Sequence, residues 1–173
     1  MSNEWKATFG SWVQAIGTTL SAIGSTPSIN IPAPLAKELN LVGNVMQATG
    51  NSLVADSIDH FTLNKLGNEI QAIGNSTVIT GIVIDFNEKI KNDLNIKGNL
   101  LQALGGGVAL ADALGHEPNE NELSNIYGNL LQAIGNSLQA LSGRTGDDAQ
   151  EVNAIGSWIQ AIGSVISALG QTK

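Results

Sequence analysis

The chain has 173 residues, of which 42% are hydrophobic, 13% charged and 4% aromatic, so the charged share is about half the usual value. It contains no cysteine, which excludes a disulfide scaffold, a thiol nucleophile and cysteine-ligated zinc or iron–sulfur sites. Fifteen acidic against eight basic residues give a formal net charge of −7, and this argues against nucleic-acid binding because phosphate contacts depend on Lys and Arg.

One eight-residue motif occurs six times along the chain. It reads Gly, a small polar residue, any residue, an apolar residue, Gln, Ala, usually Ile or Leu, and Gly again. The copies begin at Gly10, Gly43, Gly67, Gly98, Gly128 and Gly156. Their glutamines are Gln14, Gln47, Gln71, Gln102, Gln132 and Gln160, and their closing glycines are Gly17, Gly50, Gly74, Gly105, Gly135 and Gly163.

The heptad spacing of the two glycines predicts a helix, because seven residues advance an α-helix by nearly two turns and keep one face. Apolar groups occupy about 200° of the wheel, and the polar stripe with Gln is narrow. Glycine inside a helix costs roughly 0.5–1 kcal/mol relative to Ala, so a packing reason is needed. We therefore expect the closing glycines to lie at close helix–helix contacts, with each neighbouring Gln hydrogen-bonded across the same seam.

Six helices are predicted in chain order, near residues 3–23, 34–57, 62–80, 87–114, 119–141 and 147–169. The breaks between them are rich in Gly, Pro, Asn and Asp. Residues 77–86 are rich in β-branched side chains and could form a strand, but a lone strand has no partner, so a continuing or kinked helix is favoured. The prediction is an all-α single domain over 1–173, either a six-helix antiparallel bundle or a helical repeat array built on the Gly-x6-Gly heptad.

The repeated pattern of Gly, Asn, Leu, Gln, Ala and Ile is seen best in residues 128–138. It resembles the uncharacterised Gly-rich repetitive proteins of Bacillus-type bacteria. The resemblance covers most of the chain and rests on the repeat alone. It implies a bacterial source and no activity, ligand or site.

Few residues suggest chemistry. Asp56 with His60, and Asp112 with His116, are spaced i, i+4 and could share a metal ion, but helix-end solvation explains both pairs better. The glycines at 105–107 lack the Lys-Ser or Lys-Thr of a phosphate-binding loop. We therefore expect no enzyme activity, no cofactor, and no catalytic or metal-binding residues.

The terminal copies carry Trp12 and Trp158 and little charge. We expect these tryptophans to pack in a core rather than stack on a ligand, and to lie at or near a contact of the first and last helices, either with each other or with a second copy. Capping helices of an array are usually polar, and these are not.

Three function classes remain open. The first is a structural or self-assembling protein without catalytic activity, whose partner is itself in a homo-oligomer or filament. The second is a membrane-active or pore-forming protein, and the third is a carrier of a small apolar ligand. No signal peptide or membrane-spanning run of about 20 apolar residues is visible, so a cytoplasmic location is the default, with release from the cell left open.

Overall fold

The computed structural model describes residues 3–117 and 119–172, and those residues contain six long α-helices. These are α1 (Asn3–Ser25), α2 (Ala33–Asp56), α3 (Leu63–Val83), α4 (Glu88–Ala113), α5 (Glu120–Ser142) and α6 (Ala149–Gly170). Short 3-10 turns cover Pro27–Ile29 and Gly146–Asp148. The all-α prediction is confirmed, and each predicted helix falls within a few residues of an observed one.

Side-chain caps fix the starts of three helices. The hydroxyl of Thr62 accepts from the backbone N–H of Lys65, and Asn87 and Asn119 cap α4 and α5 in the same manner. The β-branched segment of α3 stays helical through Val83, and Ile84 is the first extended residue. The expected continuing helix is therefore correct up to Val83.

Consecutive helices form three antiparallel hairpins, α1–α2, α3–α4 and α5–α6, along seams of facing glycines. Gly17 faces Gly43, and Gly10 faces Gly50. A Cβ at Gly17 would lie 2.6 Å from the carbonyl oxygen of Gly43, closer than side-chain carbons approach an oxygen. The two backbones can approach this closely only because Cβ is absent on both sides.

The three hairpins close into a ring. Helix α4 packs on α5, α2 on α3, and α6 on α1. Between hairpins the contact is looser: a Cβ at Gly106 would lie 3.4 Å from the Cβ of Ala133. Two indole N–H groups tie the last junction, because Trp12 donates to Thr172 Oγ1 at 3.2 Å and Trp158 donates to Thr26 Oγ1 at 2.9 Å.

The ring has a polar interior and an apolar exterior. Nine of the twelve buried hydrophobic residues in the described chain are Ala, while nineteen described Ser, Thr, Asn and Gln residues are buried. Twenty-five large hydrophobic residues are exposed, which reverses the usual distribution. The expected core position of the tryptophans is thus wrong for Trp158, which is 38% exposed, and Trp12 is half-buried. The reason is that the centre is already filled by amide side chains.

A pair of glycine substitutions tests the close seams. At Gly135 an added Cβ would lie 2.5 Å from the carbonyl oxygen of Gly156, whereas at Gly107 no atom lies within 4 Å. Gly135→Ala should lower the free energy of unfolding by about 1–3 kcal/mol through overpacking, and Gly135→Leu by more. The matched change Gly107→Ala should raise it by about 0.5–1 kcal/mol through helix propensity. Chemical denaturation measures both, and a stabilising Gly135→Ala would show that the seam is not tight.

Candidate functional site

The six motif glutamines converge on the axis of the ring, and all six are buried. We call the end where α2, α4 and α6 begin the upper end, and the end where α1, α3 and α5 begin the lower end. Three of the glutamines, Gln47, Gln102 and Gln160, line a cavity at the upper end, and we call them the upper triad. The other three, Gln14, Gln71 and Gln132, line a cavity at the lower end, and we call them the lower triad.

Amide hydrogen bonds close the axis at these triads. Gln160 Nε2 donates to Gln47 Oε1 at 2.9 Å and to Gln102 Oε1 at 3.2 Å, so it is the hub of the upper triad. In the lower triad, Gln14 Nε2 donates to Gln132 Oε1 at 2.7 Å. These bonds cross the centre between different hairpins. The expected bonds across the hairpin's own seam also form: Gln47 Nε2 donates to Ser21 Oγ at 3.1 Å, Gln132 Nε2 donates to Ser167 Oγ at 3.4 Å, and Gln160 Oε1 accepts from Gln139 Nε2 at 2.9 Å. The bonds between glutamines of different hairpins were not expected.

A longer polar pattern accompanies each Gln and was not recognised in the sequence. The residues three and seven positions before it are Asn or Ser in all but one case, and we call the three positions together an amide ladder. The ladders are Ala7, Ser11 and Gln14; Asn40, Asn44 and Gln47; Asn64, Asn68 and Gln71; Asn95, Asn99 and Gln102; Asn125, Asn129 and Gln132; and Asn153, Ser157 and Gln160. The spacing i, i+4, i+7 places each ladder on one helix face.

The asparagines of the ladders have a defined amide orientation. Asn44 Nδ2 donates to the carbonyl oxygen of Asn40 at 2.8 Å, and Asn68 and Asn99 donate in the same way to the residue four positions earlier. A backbone carbonyl can only accept, so the amide nitrogen must face it, and Oδ1 is turned away from that carbonyl. Asn68 and Asn99 donate in addition to Oδ1 of Asn64 and Asn95, so part of each ladder is bonded within its own helix.

The ladders line a cavity at each end of the ring. The upper cavity has a volume of about 280 Å³ and is bordered by the ladders of α2, α4 and α6. The lower one has about 30 Å³ and is bordered by the ladders of α1, α3 and α5. The two Gln triads separate them. Two lysines also border the upper cavity, Lys37 and Lys91, and none of the acidic side chains that the structure describes does.

Lys91 is already paired at this mouth. Its ammonium lies 2.9 Å from Glu88 and 3.6 Å from Asp85. The hydrogen bond to Glu88, with the nearby carboxylate of Asp85, raises the pKa of Lys91 above its ordinary value, although desolvation acts in the opposite direction. Lys91 therefore stays charged at neutral pH, and its charge is compensated.

The residues considered for metal binding lie apart from the axis. Asp56 pairs with Lys6 at 2.7 Å, and this ammonium lowers the pKa of the Asp56 carboxyl, while His60 lies in the exposed connection that follows α2. Asp112 accepts from the backbone of Leu63, and His116 lies 3.5 Å from Glu122. In the described residues no group of three His, Asp or Glu side chains is arranged to hold a metal ion. The glycines at 105–107 lie within helix α4.

The comparisons with known proteins identify a family and nothing beyond it. Residues 5–168 match a family described as a family of unknown function, DUF6944. The chain belongs to this family. No curated protein matches the chain, and no solved structure does. The match covers nearly the whole chain and includes residues of all six helices.

Hydropathy singles out one helix. Among the described residues, α6 (Ala149–Gly170) is long and apolar enough to cross a membrane by length and composition, with a mean hydropathy of 1.4 over its best window. By itself this is weak evidence, because 44% of that window is buried in the ring and core helices of soluble proteins can be as apolar.

Buried amides without partners allow a test of the polar interior. Asn51 has both side-chain polar atoms buried without a hydrogen bond, whereas Asn68 donates to Asn64 at 2.9 Å and 2.8 Å. Asn51→Leu should raise the free energy of unfolding by about 1–3 kcal/mol, since it removes an unsatisfied group. Asn68→Leu should lower it, because two satisfied bonds are lost. Urea denaturation checks the two signs, and a destabilising Asn51→Leu would mean that its amide has a bonding partner such as a bound water.

Proposed function

We propose that this protein is a membrane-embedded helical bundle with a polar axis and no catalytic activity. The observation that carries the proposal is the arrangement of polarity: amide side chains fill the centre, and large apolar side chains face outward. A soluble protein gains its stability from the reverse arrangement. In a bilayer the same arrangement is favourable, because polar side chains must find partners inside the protein.

The apolar surface includes every helix of the ring. Each helix exposes at least one large apolar side chain in its middle part, for example Ile16, Val45, Ile73, Leu104, Ile134 and Ile162. An interface with one partner would cover one side of the ring and leave the others in water. A surrounding lipid phase covers all sides at once, which supports the membrane proposal over a simple dimer.

Charged residues are concentrated toward the two ends. Stretches without Asp, Glu, Lys or Arg cover residues 7–36, 39–55, 70–84, 98–111, 123–143 and 152–172. With 21 to 26 residues, the helices are about 31–39 Å long, and the hydrocarbon core of a bilayer is about 30 Å thick. The charge-free stretches of α2, α3 and α4 have 17, 15 and 14 residues and cover about 21–26 Å of that thickness. Mean hydropathy is an average over all faces of a helix. A helix with amides on its inner face therefore has a low mean hydropathy even when its outer face is apolar.

A flotation experiment tests the proposal with two variants on one helix. Ile73 and Leu63 are both exposed on α3, at 59% and 42%, but Ile73 lies two residues beyond Gln71 and Leu63 is the first residue of the helix. Wild-type protein should float with phosphatidylcholine vesicles in a density gradient. Ile73→Lys should reduce the floating fraction several-fold, because a charge near the bilayer centre costs about 2.5–3.5 kcal/mol, and Leu63→Lys should float like wild type.

The choice of lipid removes one ambiguity. Phosphatidylcholine carries no net charge, so an added Lys gains no attraction to the vesicle surface. Circular dichroism of both variants should match the wild type, since both side chains are exposed. Wild-type protein that stays in the dense fraction, or equal floating of both variants, would refute embedding in the bilayer.

The second candidate function is that of a self-assembling structural protein, and the position of Glu69 supports it. Glu69 is exposed on α3 two residues before Gln71, so it lies near the middle of the ring where a lipid environment disfavours a carboxylate. In this alternative, copies of the chain cover the apolar surface in a homo-oligomer or filament. Trp12 and Trp158 at the junction of α1 and α6 are the proposed contact.

Light scattering coupled to size exclusion tests the second candidate. Assembly should give a particle larger than one chain without lipid, and the double variant Trp12→Lys with Trp158→Lys should reduce it to the monomer while most of the helical signal remains. The added ammonium groups oppose burial in a contact. A monodisperse monomer at high micromolar concentration that ignores vesicles would exclude both candidate functions.

We further propose that the Gly-x6-Gly heptad is the packing signal of this antiparallel bundle. Support comes from the seam contacts of Gly17, Gly50, Gly74, Gly105, Gly135 and Gly163, each of which faces a glycine carbonyl of the partner helix. In this proposal the amide ladder on the adjoining face is a second packing pattern. The glycines turn one face of each helix toward its hairpin partner, and the ladder turns the adjoining face toward the axis.

A further inference from the structure

The axis of the ring contains two cavities, and amide side chains border both of them; Lys37, Lys91, Val78 and Ile82 also border the upper one. A site needs about 10–15 Å³ and two to four polar partners to hold a water molecule. The upper cavity, of about 280 Å³, has room for several waters, and the lower one, of about 30 Å³, for one or two. The two Gln triads lie between them.

The chemistry of the ladders selects small hydrogen-bonding molecules. The amide nitrogens of Asn44 and Asn99 are held by backbone carbonyls of their own helices, which leaves their oxygens as acceptors for an occupant. Lys37 and Lys91 border the upper cavity, and the carboxylates of Asp85 and Glu88 near this mouth are paired with Lys91. Neutral molecules with O–H groups satisfy the acceptors without an electrostatic cost.

The axis is blocked where amide side chains hydrogen-bond to one another, and water can replace these bonds. Gln160 donates to both Gln47 and Gln102, and Gln139 Nε2 donates to Gln160 Oε1 at 2.9 Å. An amide–amide bond exchanged for two amide–water bonds changes the free energy little. Rotation of the Gln160 side chain would open the upper triad, and release of the Gln14–Gln132 bond would then join the two cavities.

We propose that the axis is a path for water, closed by the two Gln triads, with Gln160 as the hub of the upper triad. This inference rests on the proposed membrane location. Water enters from either end along the amide ladders and passes the centre when the Gln160 amide and the Gln14–Gln132 pair release their partners. Glycerol and larger solutes do not fit the lower cavity of about 30 Å³.

Osmotic experiments on reconstituted vesicles test the path. Vesicles containing the full-length protein are mixed rapidly with sucrose to measure water efflux and, as a size control, with glycerol, which should not enter, and light scattering records the volume. Wild-type protein should raise water permeability above that of protein-free vesicles. Gln160→Ala should raise it at least threefold further, because the hub of the upper triad is lost.

Two further variants show where the flow takes place. Gln102→Met keeps a side chain of similar length but removes its amide, and it should reduce water permeability to near the protein-free value by making the gate apolar. Ser76→Leu adds an apolar group on the outer face of α3, where Ser76 is exposed, and should leave permeability unchanged. A potassium-sensitive dye inside the vesicles should report no leak in any of these samples.

The outcomes separate this inference from the proposed function. Protein that floats with vesicles but does not change water permeability, as wild type or as Gln160→Ala, overturns the path and leaves the membrane proposal standing. Potassium leak in every sample indicates bilayer disruption and overturns the path as well. Protein that fails to float overturns both. Should Gln102→Met fail to fold, the threefold gain of Gln160→Ala without potassium leak remains the deciding measurement.

Discussion

The close approach of glycine backbones within each hairpin fixes the orientation of every other side chain. With a glycine face committed to the hairpin partner, as for Gly135 against Gly156, the helix can no longer rotate about its axis. The Ala that follows Gln lies near 140° from the glycine face and meets the next hairpin, as Ala133 meets Gly106. In a ring, the sector between the two contacts faces inward, and this sector holds the amide ladder. The large apolar side chains therefore lie on the outer surface of the ring.

The amide interior is stable to the extent that its groups bond one another. Buried amides cost free energy unless they are paired, and most of these are paired through ladder bonds to the same helix or through the triads. Three asparagines, Asn51, Asn75 and Asn136, keep unsatisfied atoms in the interior. In water, such a helix would gain by turning its Ile and Leu inward. Inside a bilayer, turning Ile and Leu inward would bring no such gain in free energy. The polar interior is therefore consistent with the proposed membrane location.

Much of the fold was accessible from the sequence. The heptad glycines and the breaks predicted six helices close to their observed bounds, because those signals act within one helix. The helical wheel also predicts which face of each helix points to the centre of the ring. The small residues at 0° and near 140° form the two contact faces. Gln and Asn lie between these faces and must face inward in a ring. What could not be predicted is which glutamines meet. The bond of Gln160 to Gln102 joins two hairpins whose order in the ring is set by tertiary packing alone.

The repeat gives both ends of the axis ladders of nearly the same residue types, since ladders of odd helices enter from below and those of even helices from above. The ladders therefore do not set how the ring would orient in a membrane, whereas the flanking charges differ between the ends. Of the basic residues that the structure describes, Lys37, Lys89, Lys91, Lys97 and Arg144 lie in the upper half, and Lys6 and Lys65 lie in the lower half. Lys and Arg are retained on the cytoplasmic side of membrane proteins. The upper cavity, which is the larger, would then open to the cytoplasm, and the small lower cavity would face the opposite side.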